Sequence, residues 1–546
     1  MKNSGLYSLD YWVIALYFVG VFVTAALLIR RDAKKAKGTA TGNYFLGGRN
    51  LGWFIIGASL FSSNIGSEHL VGLAGAGASG NFPAAQIEIL AAFMLLILGW
   101  FFVPFYMRSG VFTMPQFLEL RYSKWAKNYL SWVSIIAYVL TKISVTIAAG
   151  GIIFTAFLEV NFWTGSIIIV IATGLYTIFG GLKAVAYTDM IQMFVLIGGS
   201  VALTFYGLNA LGGWDELVRQ TDPTYLSLWR GINHESFPWT GILLGAPILG
   251  IWYWCTDQFI VQRTLAARNI DQARKATIFA GYLKLLPLFI FLIPGVIAYA
   301  LSTGPNPVLT FPTIDGKTIY DAALPLMTMQ LLPTGLKGLV VAGLIAALMS
   351  SLSSVFNSCS TLFTLDIYKQ YFPETSEKKL VRVGQIATAG LVLLGLAWIP
   401  MLQALEGGLF EKIQSIQSYI SPPIAAVFLF GLLFKKLNAN GAKAALITGA
   451  ILGSLRLILE INQPSLPPIF SWFVSINFLH FALFLFTVCT LVLIGFSLFS
   501  TKGLDNISSN LIFSVENSTI NSTSKLNVGL SLLLVLLILT LWYVFK

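Results

Sequence analysis

Residues 51–79 read LGWFIIGASLFSSNIGSEHLVGLAGAGAS. The ends of this stretch are apolar, and it is long enough to cross the ~30 Å of a bilayer core, which takes roughly 20 helical residues. Its middle, however, carries Ser62, Ser63, Asn64, Gly66, Ser67, Glu68 and His69. Lipid offers no hydrogen bonds at that depth, so a helix interrupted there must find partners for its freed backbone groups in protein, ligand or cavity water. A second such stretch, WTGILLGAPILGIWYWCTDQFIVQ at 239–262, sets Gly245, Pro247 and Gly250 in mid-span. Broken helices at corresponding places in two structural repeats point to the binding site of a secondary transporter.

The rest of the chain supports a membrane setting. Of 546 residues, 56% are hydrophobic and 10% charged, against roughly 25% charged in a soluble domain. Apolar stretches near 10–30, 51–79, 82–108, 128–158, 163–180, 186–209, 239–262, 273–302, 335–366, 381–402, 413–434, 441–461, 473–500 and 527–545 predict an all-α integral membrane protein of about fourteen transmembrane helices. The first stretch has its basic cluster, Arg30 to Lys37, after the apolar run and no small-residue cleavage site, so it reads as a retained span and not a signal peptide.

Counting from the first broken stretch, five spans (51–209) precede an extracellular loop (210–238), and five more (239–434) begin at the second break. A repeat of five, being odd, must invert its topology. Residues 1–50 then add an extra helix and a cytoplasmic loop, and 435–546 the remaining helices.

The net charge of +11 does not point to nucleic acid, because no basic run is interleaved with base-stacking aromatics. The basic residues instead set orientation. Of the 34 Lys and Arg, 24 fall in one set of alternating loops, 7 in the other, and Lys142, Lys284 and Arg456 inside spans. The bias predicts that the first set is cytoplasmic and both termini lie outside. Asn506, Asn517 and Asn521, in N-x-S/T contexts, then face the cytoplasm and escape glycosylation. The three cysteines lie in apolar segments and form neither a disulfide framework nor a zinc spacing.

Ionisable groups inside a membrane each cost about 2.5–3.5 kcal/mol on insertion scales, so they usually have a partner or a task. Glu68, His69, Glu88, Lys142, Asp189, Asp257, Lys284 and Arg456 qualify. Glu88 lies close enough to its span end to snorkel, whereas Lys284 in GYLKLLPLFIFLIPG does not. Asp189 reads equally as a helix N-cap, and Lys142 and Arg456 read as structural.

A second cluster is AALMSSLSSVFNSCSTLFT, with Ser350, Ser351, Ser353 and Ser354 within five residues. Such serines can simply bond back to their own helix or let neighbours approach. Four together also suit a hard monovalent cation, which wants hydroxyl and carbonyl oxygens. Trp252, Tyr253 and Trp254, with Gln414, Gln417 and Tyr419, offer ring faces and amides of the kind a polyhydroxylated solute needs, or an interfacial aromatic belt. No HExxH, GxSxG or P-loop is present, which argues against an enzyme.

At these segments the chain resembles the sodium:solute symporter family, in its sodium/glucose cotransporter branch and with a bacterial cast. The matching stretches include NYFLGGRNLGWFIIGASLFSSNIGSEHLVGLAGAG, YTIFGGLKAVAYTDMIQ, IWYWCTDQFIVQR, GYLKLLP, LMSSLSSVFNSCSTLFTLDIY and IQSIQSYISPPIAAVFL, which together span nearly all of 43–434. The resemblance implies a leucine-transporter-like core of two inverted five-helix repeats. It implies sodium-coupled symport of a sugar, glucose or galactose, across the plasma membrane by alternating access. The alternatives are another organic solute, myo-inositol or a monocarboxylate held by Lys284, or a transporter-like sensor.

Carried over, the sugar site comprises Asn64, His69, Glu88, Lys284 and Gln414, with Tyr253 stacking under the ring as the inner gate and Trp254 beside it. The co-transported sodium ion is held by the carbonyls of Ser62, Ile65 and Ala347 and the hydroxyls of Ser350 and Ser351. A second sodium falls to Asp189, Ser353 and Ser354. Two positions depart from the pattern: Gly250 stands where relatives place a Thr or Asn toward the sugar, and Glu68 where animal members have Gly.

Overall fold

A computed structural model describes residues 5–35, 38–303, 307–314, 316–402, 409–462, 467–499, 511–513 and 524–546. They are nearly all helical, apart from a two-stranded ribbon, Thr313–Ile314 with Lys317–Thr318. Ten helices among them are long and apolar enough to cross a membrane. The asparagines at 506, 517 and 521 lie outside the described residues.

Burial separates the core from its periphery. In the apolar window of Leu336–Tyr371, 94% of residues are buried by protein, against 17% in that of Lys525–Val544 and 22% in that of Ser8–Arg31. The serine-rich helix Leu336–Thr361 is therefore the central post, and the two terminal helices present their sides to lipid. The post packs along the helix Phe162–Leu211. That helix is two spans merged through a kink at Gly181, whose φ of +57° puts it in the left-handed region open to glycine. A Cβ at Gly181 would also sit 2.5 Å from the Tyr44 carbonyl oxygen.

The stretch 51–79 is broken as its sequence predicts. One half, Trp53–Asn64, packs on Ile270–Leu283, and the other, Ser67–Ala78, on Ile293–Ser302. Between them Ile65 (ψ 95°) and Gly66 (ψ −170°) are extended, so the helical backbone stops for two residues.

The second broken stretch differs from expectation. Gly245, Pro247 and Gly250 remain in helical segments, Trp239–Leu244 and Ala246–Gly250 with Gly245 (φ −89°, ψ −48°) between them. The chain widens into a π-helical turn at Ile251–Thr256 and leaves the helix at Asp257 (φ −77°, ψ 128°), which caps Gln258–Leu265 by accepting from the Phe259 N–H at 3.1 Å. The two glycines serve close packing. A Cβ at Gly245 would meet the Leu479 carbonyl oxygen at 2.1 Å, and one at Gly250 the Met94 Cγ at 2.6 Å.

Three readings of ionisable groups are settled by burial. Asp189 lies inside Phe162–Leu211, beyond the Gly181 kink, so the N-cap alternative falls. Glu88 is 2% exposed and does not snorkel. Arg456 is structural, as expected, donating to the carbonyls of Phe473 and Ile476 beside Glu460.

Candidate substrate and ion site

The break at 65–66 leaves Asn64 at the end of one half-helix and His69 in the first turn of the next, both buried. His69 Nδ1 accepts from the Gly66 N–H at 3.3 Å, which assigns the ring proton to Nε2; that nitrogen lies 3.2 Å from Glu88 Oε1. The other carboxylate oxygen accepts from the Lys284 ammonium, which also donates to Asn64 Oδ1. Asn64 Nδ2 donates in turn to the Tyr253 hydroxyl at 2.9 Å. Tyr253, Asn64, Lys284, Glu88 and His69 thus form one hydrogen-bonded chain drawn from four separate segments. Lys284 is 1% exposed, and its charge is met by Glu88 as a buried charge requires.

These residues wall a cavity between the two broken stretches. Six of the seven expected substrate residues line it: Asn64, His69, Glu88, Tyr253, Trp254 and Gln414. Lys284 stands behind Asn64 and Glu88 and holds both. Aliphatic side chains, Ile87, Leu90, Ala91, Met94 and Leu249, complete much of the lining. The cavity therefore offers alternating donors and acceptors next to two aromatic rings, together with C–H surface.

Sequence reasoning assigned Lys142 to structure alone. It lines the cavity, and its ammonium lies 4.2 Å from the Tyr253 ring centroid, 3.7 Å from that of Phe259 and 3.5 Å from Asp257 Oδ2. Gln417, one turn from Gln414, also reaches the cavity.

The oxygen-rich cluster lies where the first broken stretch meets the serine-rich helix. Ser351 Oγ donates to the Ser63 carbonyl at 3.2 Å, tying the post to the break. Ser62 Oγ donates to the backbone carbonyl of Asp189 at 2.8 Å. Ser350, expected with the first ion, donates to Asp189 Oδ1 at 2.6 Å and so joins the carboxylate of the second. Ser353 bonds back to the Ser350 carbonyl at 3.0 Å, the ordinary habit of a helical serine. Ser354 Oγ accepts from Arg263. Ile65 and Ala347 are buried beside these groups.

Two members of this cluster were missed. Ser59 donates to Asp189 Oδ2 at 2.5 Å; its place one turn before Ser62 and Ser63 was the available signal. Arg263 was counted with the cytoplasmic orienting charges, yet it is 1% exposed.

Broken helices meeting around a cavity lined by a polar network, with a hydroxyl cluster beside one break, define a secondary transporter and not an enzyme. The chain belongs to the sodium:solute symporter family, whose model matches residues 44–449. It is 37% identical to mouse sodium/glucose cotransporter 4 (96% of this chain, 80% of the relative). It is 37% identical to pig sodium/glucose cotransporter 1 (93% and 81%) and 38% identical to human sodium/myo-inositol cotransporter (90% and 73%). The fold matches that of a substrate-bound, outward-open sodium-coupled sialic acid symporter with a TM-score of 0.75 at 20% identity, over 90% of this chain and 98% of the other. It also matches a nucleobase-cation-symport-1 transporter in a closed conformation (TM-score 0.51, 14% identity, 85% and 97%). The protein is accordingly a multi-pass membrane transporter with a leucine-transporter-like core.

Proposed function

We propose that the chain carries a sugar, glucose or galactose, together with sodium across the plasma membrane by alternating access. The observation that carries the choice of a neutral polyol is charge balance in the cavity. Lys284 is already paired with Glu88, and Lys142 lies against Asp257, so among the described residues a carboxylate solute would find no uncommitted cation. This argues against the monocarboxylate alternative. Hydroxyl groups, by contrast, can both donate to Glu88 and accept from Lys284, His69 and Asn64, while Tyr253 and Trp254 cover a pyranose C–H face. Myo-inositol stays as the second reading, since it presents the same hydroxyl-and-ring chemistry and one relative of similar identity is named for it.

In this proposal Ser62, Ile65 and Ala347 carbonyls with Ser350 and Ser351 hydroxyls hold one sodium, and Asp189 with Ser353 and Ser354 a second. Sodium at the first position bridges the broken stretch and the serine-rich helix, holding the outward-facing arrangement so that the sugar meets a formed site. Its loss to the cytoplasm frees Tyr253 to move. Residues 51–209 and 239–434 act as the two inverted repeats, with both termini outside. One charge crossing 100 mV contributes about 2.3 kcal/mol and a tenfold sodium gradient about 1.4. Together these support roughly 500-fold accumulation per ion.

Uptake of a labelled sugar panel into proteoliposomes, with and without an inward sodium gradient, tests this reading. Glucose or galactose should accumulate only with the gradient. Sodium-independent uptake, or uptake of lactate in preference to every hexose and inositol, would overturn it.

A further inference from the structure

The chemistry of the proposed second ion position raises a question of charge. Its one carboxylate, Asp189, is fully buried, and among the described residues the groups touching it are the hydroxyls of Ser59 and Ser350 and one cation. The cation is the Arg263 guanidinium. Its Nη2 lies 3.8 Å from Asp189 Oδ2 and donates to Ser354 Oγ; its Nε donates to Ser59 Oγ at 2.9 Å; its Nη1 donates to the Phe259 carbonyl. Ser59 is shared, accepting from Arg263 and donating to Asp189. The guanidinium thus neutralises the carboxylate and holds Ser354, one of the hydroxyls a sodium ion there would need.

Two cations against one buried carboxylate repel each other strongly in a low-dielectric interior, and the guanidinium already engages one of the two lone pairs of Ser354 Oγ. We infer that Arg263 is a tethered cation competing with the second sodium: ion and guanidinium hold the Asp189 position alternately. Arg263 is a coupling residue, acting on the ion through Asp189 and Ser354.

Its place in the chain gives the competition a mechanical outlet. Arg263 lies on Gln258–Leu265, whose cap is Asp257, and Asp257 is the partner of the Lys142 that sits against the Tyr253 ring. Sodium arriving at Asp189 therefore releases the one helix that leads directly back to the proposed inner gate. Ion departure lets the guanidinium return, which blocks rebinding without leaving a bare carboxylate in the core.

This inference rests on Asp189 as an ion ligand, and the experiment separates the two. Sodium-22 binding to full-length protein in detergent, without sugar, is compared for wild type, Arg263→Gln, Arg263→Lys, Asp189→Asn and the double variant Arg263→Gln/Asp189→Asn. Competition predicts that Arg263→Gln lowers half-saturating sodium at least tenfold, that Arg263→Lys, keeping the charge but losing the fork, falls between, and that Asp189→Asn abolishes the gain. Where Arg263→Gln does not fold, Arg263→Lys and the charge-neutral double variant carry the test. The first should still bind sodium more tightly than wild type, and the second should show one ion per chain. Unchanged sodium affinity in a folded Arg263 variant, with Asp189→Asn weakened, overturns the competition alone. Unchanged binding in Asp189→Asn overturns the second ion position itself.

Discussion

Replacing Glu88 with Gln keeps the shape of the side chain and removes its charge. In the structure this carboxylate is 2% exposed and accepts from both His69 Nε2 and Lys284. Two consequences follow, of different size. Lys284, 1% exposed, is left without an anion; breaking a buried pair from one side costs about 3–5 kcal/mol of stability. The sugar loses an anionic acceptor, and a hydrogen bond to a charged group contributes about 1.5–3 kcal/mol, which converts to roughly a 10- to 150-fold rise in the half-saturating sugar concentration. Sodium binding without sugar should shift less than twofold, because the proposed ion ligands come from the serine-rich helix, the first broken stretch and Asp189, not from Glu88. Adding Lys284→Gln should recover much of the lost thermal stability, since it removes the orphaned charge, but none of the sugar affinity. The assays are a detergent thermal melt and concentration-dependent glucose uptake in proteoliposomes. A half-saturating glucose concentration within twofold of wild type, in protein whose melt shows a folded population, would refute the placement of the sugar against Glu88. A double variant no more stable than Glu88→Gln would refute the charge-balance argument.

Ser351→Ala removes a proposed ion-coordinating hydroxyl and the contact to the Ser63 carbonyl; sodium required for half-maximal uptake should rise several-fold, and an unchanged sodium curve would remove Ser351 from the ion site. Tyr253→Phe keeps the ring and loses the bond from Asn64, worth about 1 kcal/mol, so uptake should fall by roughly fivefold; Tyr253→Ala should nearly abolish it, and wild-type uptake in Tyr253→Ala would end its role as gate. Gly250→Thr places a Cβ 2.6 Å from Met94 Cγ, an overpacking cost of about 1–3 kcal/mol. Met94→Ala in the same chain should restore the melt and change the ranking of hexoses in competition uptake, and a double variant no more stable than Gly250→Thr would show that the two side chains do not share the space.

Much of the cavity was legible because its residues break a rule locally. Asn64, His69 and Glu88 are polar where an uninterrupted apolar run is expected, and Lys284 sits too far from either interface to snorkel. The second broken stretch was found for a partly wrong reason. Gly245, Pro247 and Gly250 look like breakers, yet their helical dihedrals and close contacts with Leu479 and Met94 make them packing residues, and the chain departs from the helix at Asp257. A glycine that bends a helix and one that admits a neighbour are the same letter, and the difference lies in what stands opposite.

Arg263 marks the boundary most clearly. The sequence by itself determined that the chain lives in lipid, because scarce charge and long apolar runs allow little else, and that its few intramembrane polar groups would gather at two interruptions. It could not distinguish an arginine that orients a loop from one buried 3.8 Å from a carboxylate 74 residues earlier in the chain. That distinction, like the pairing of Lys284 with Glu88 across 196 residues, belongs to the tertiary structure. Hydrophobic pattern is a property of neighbours along the chain, whereas the partner of a buried charge is chosen by helices that pack together from distant parts of it.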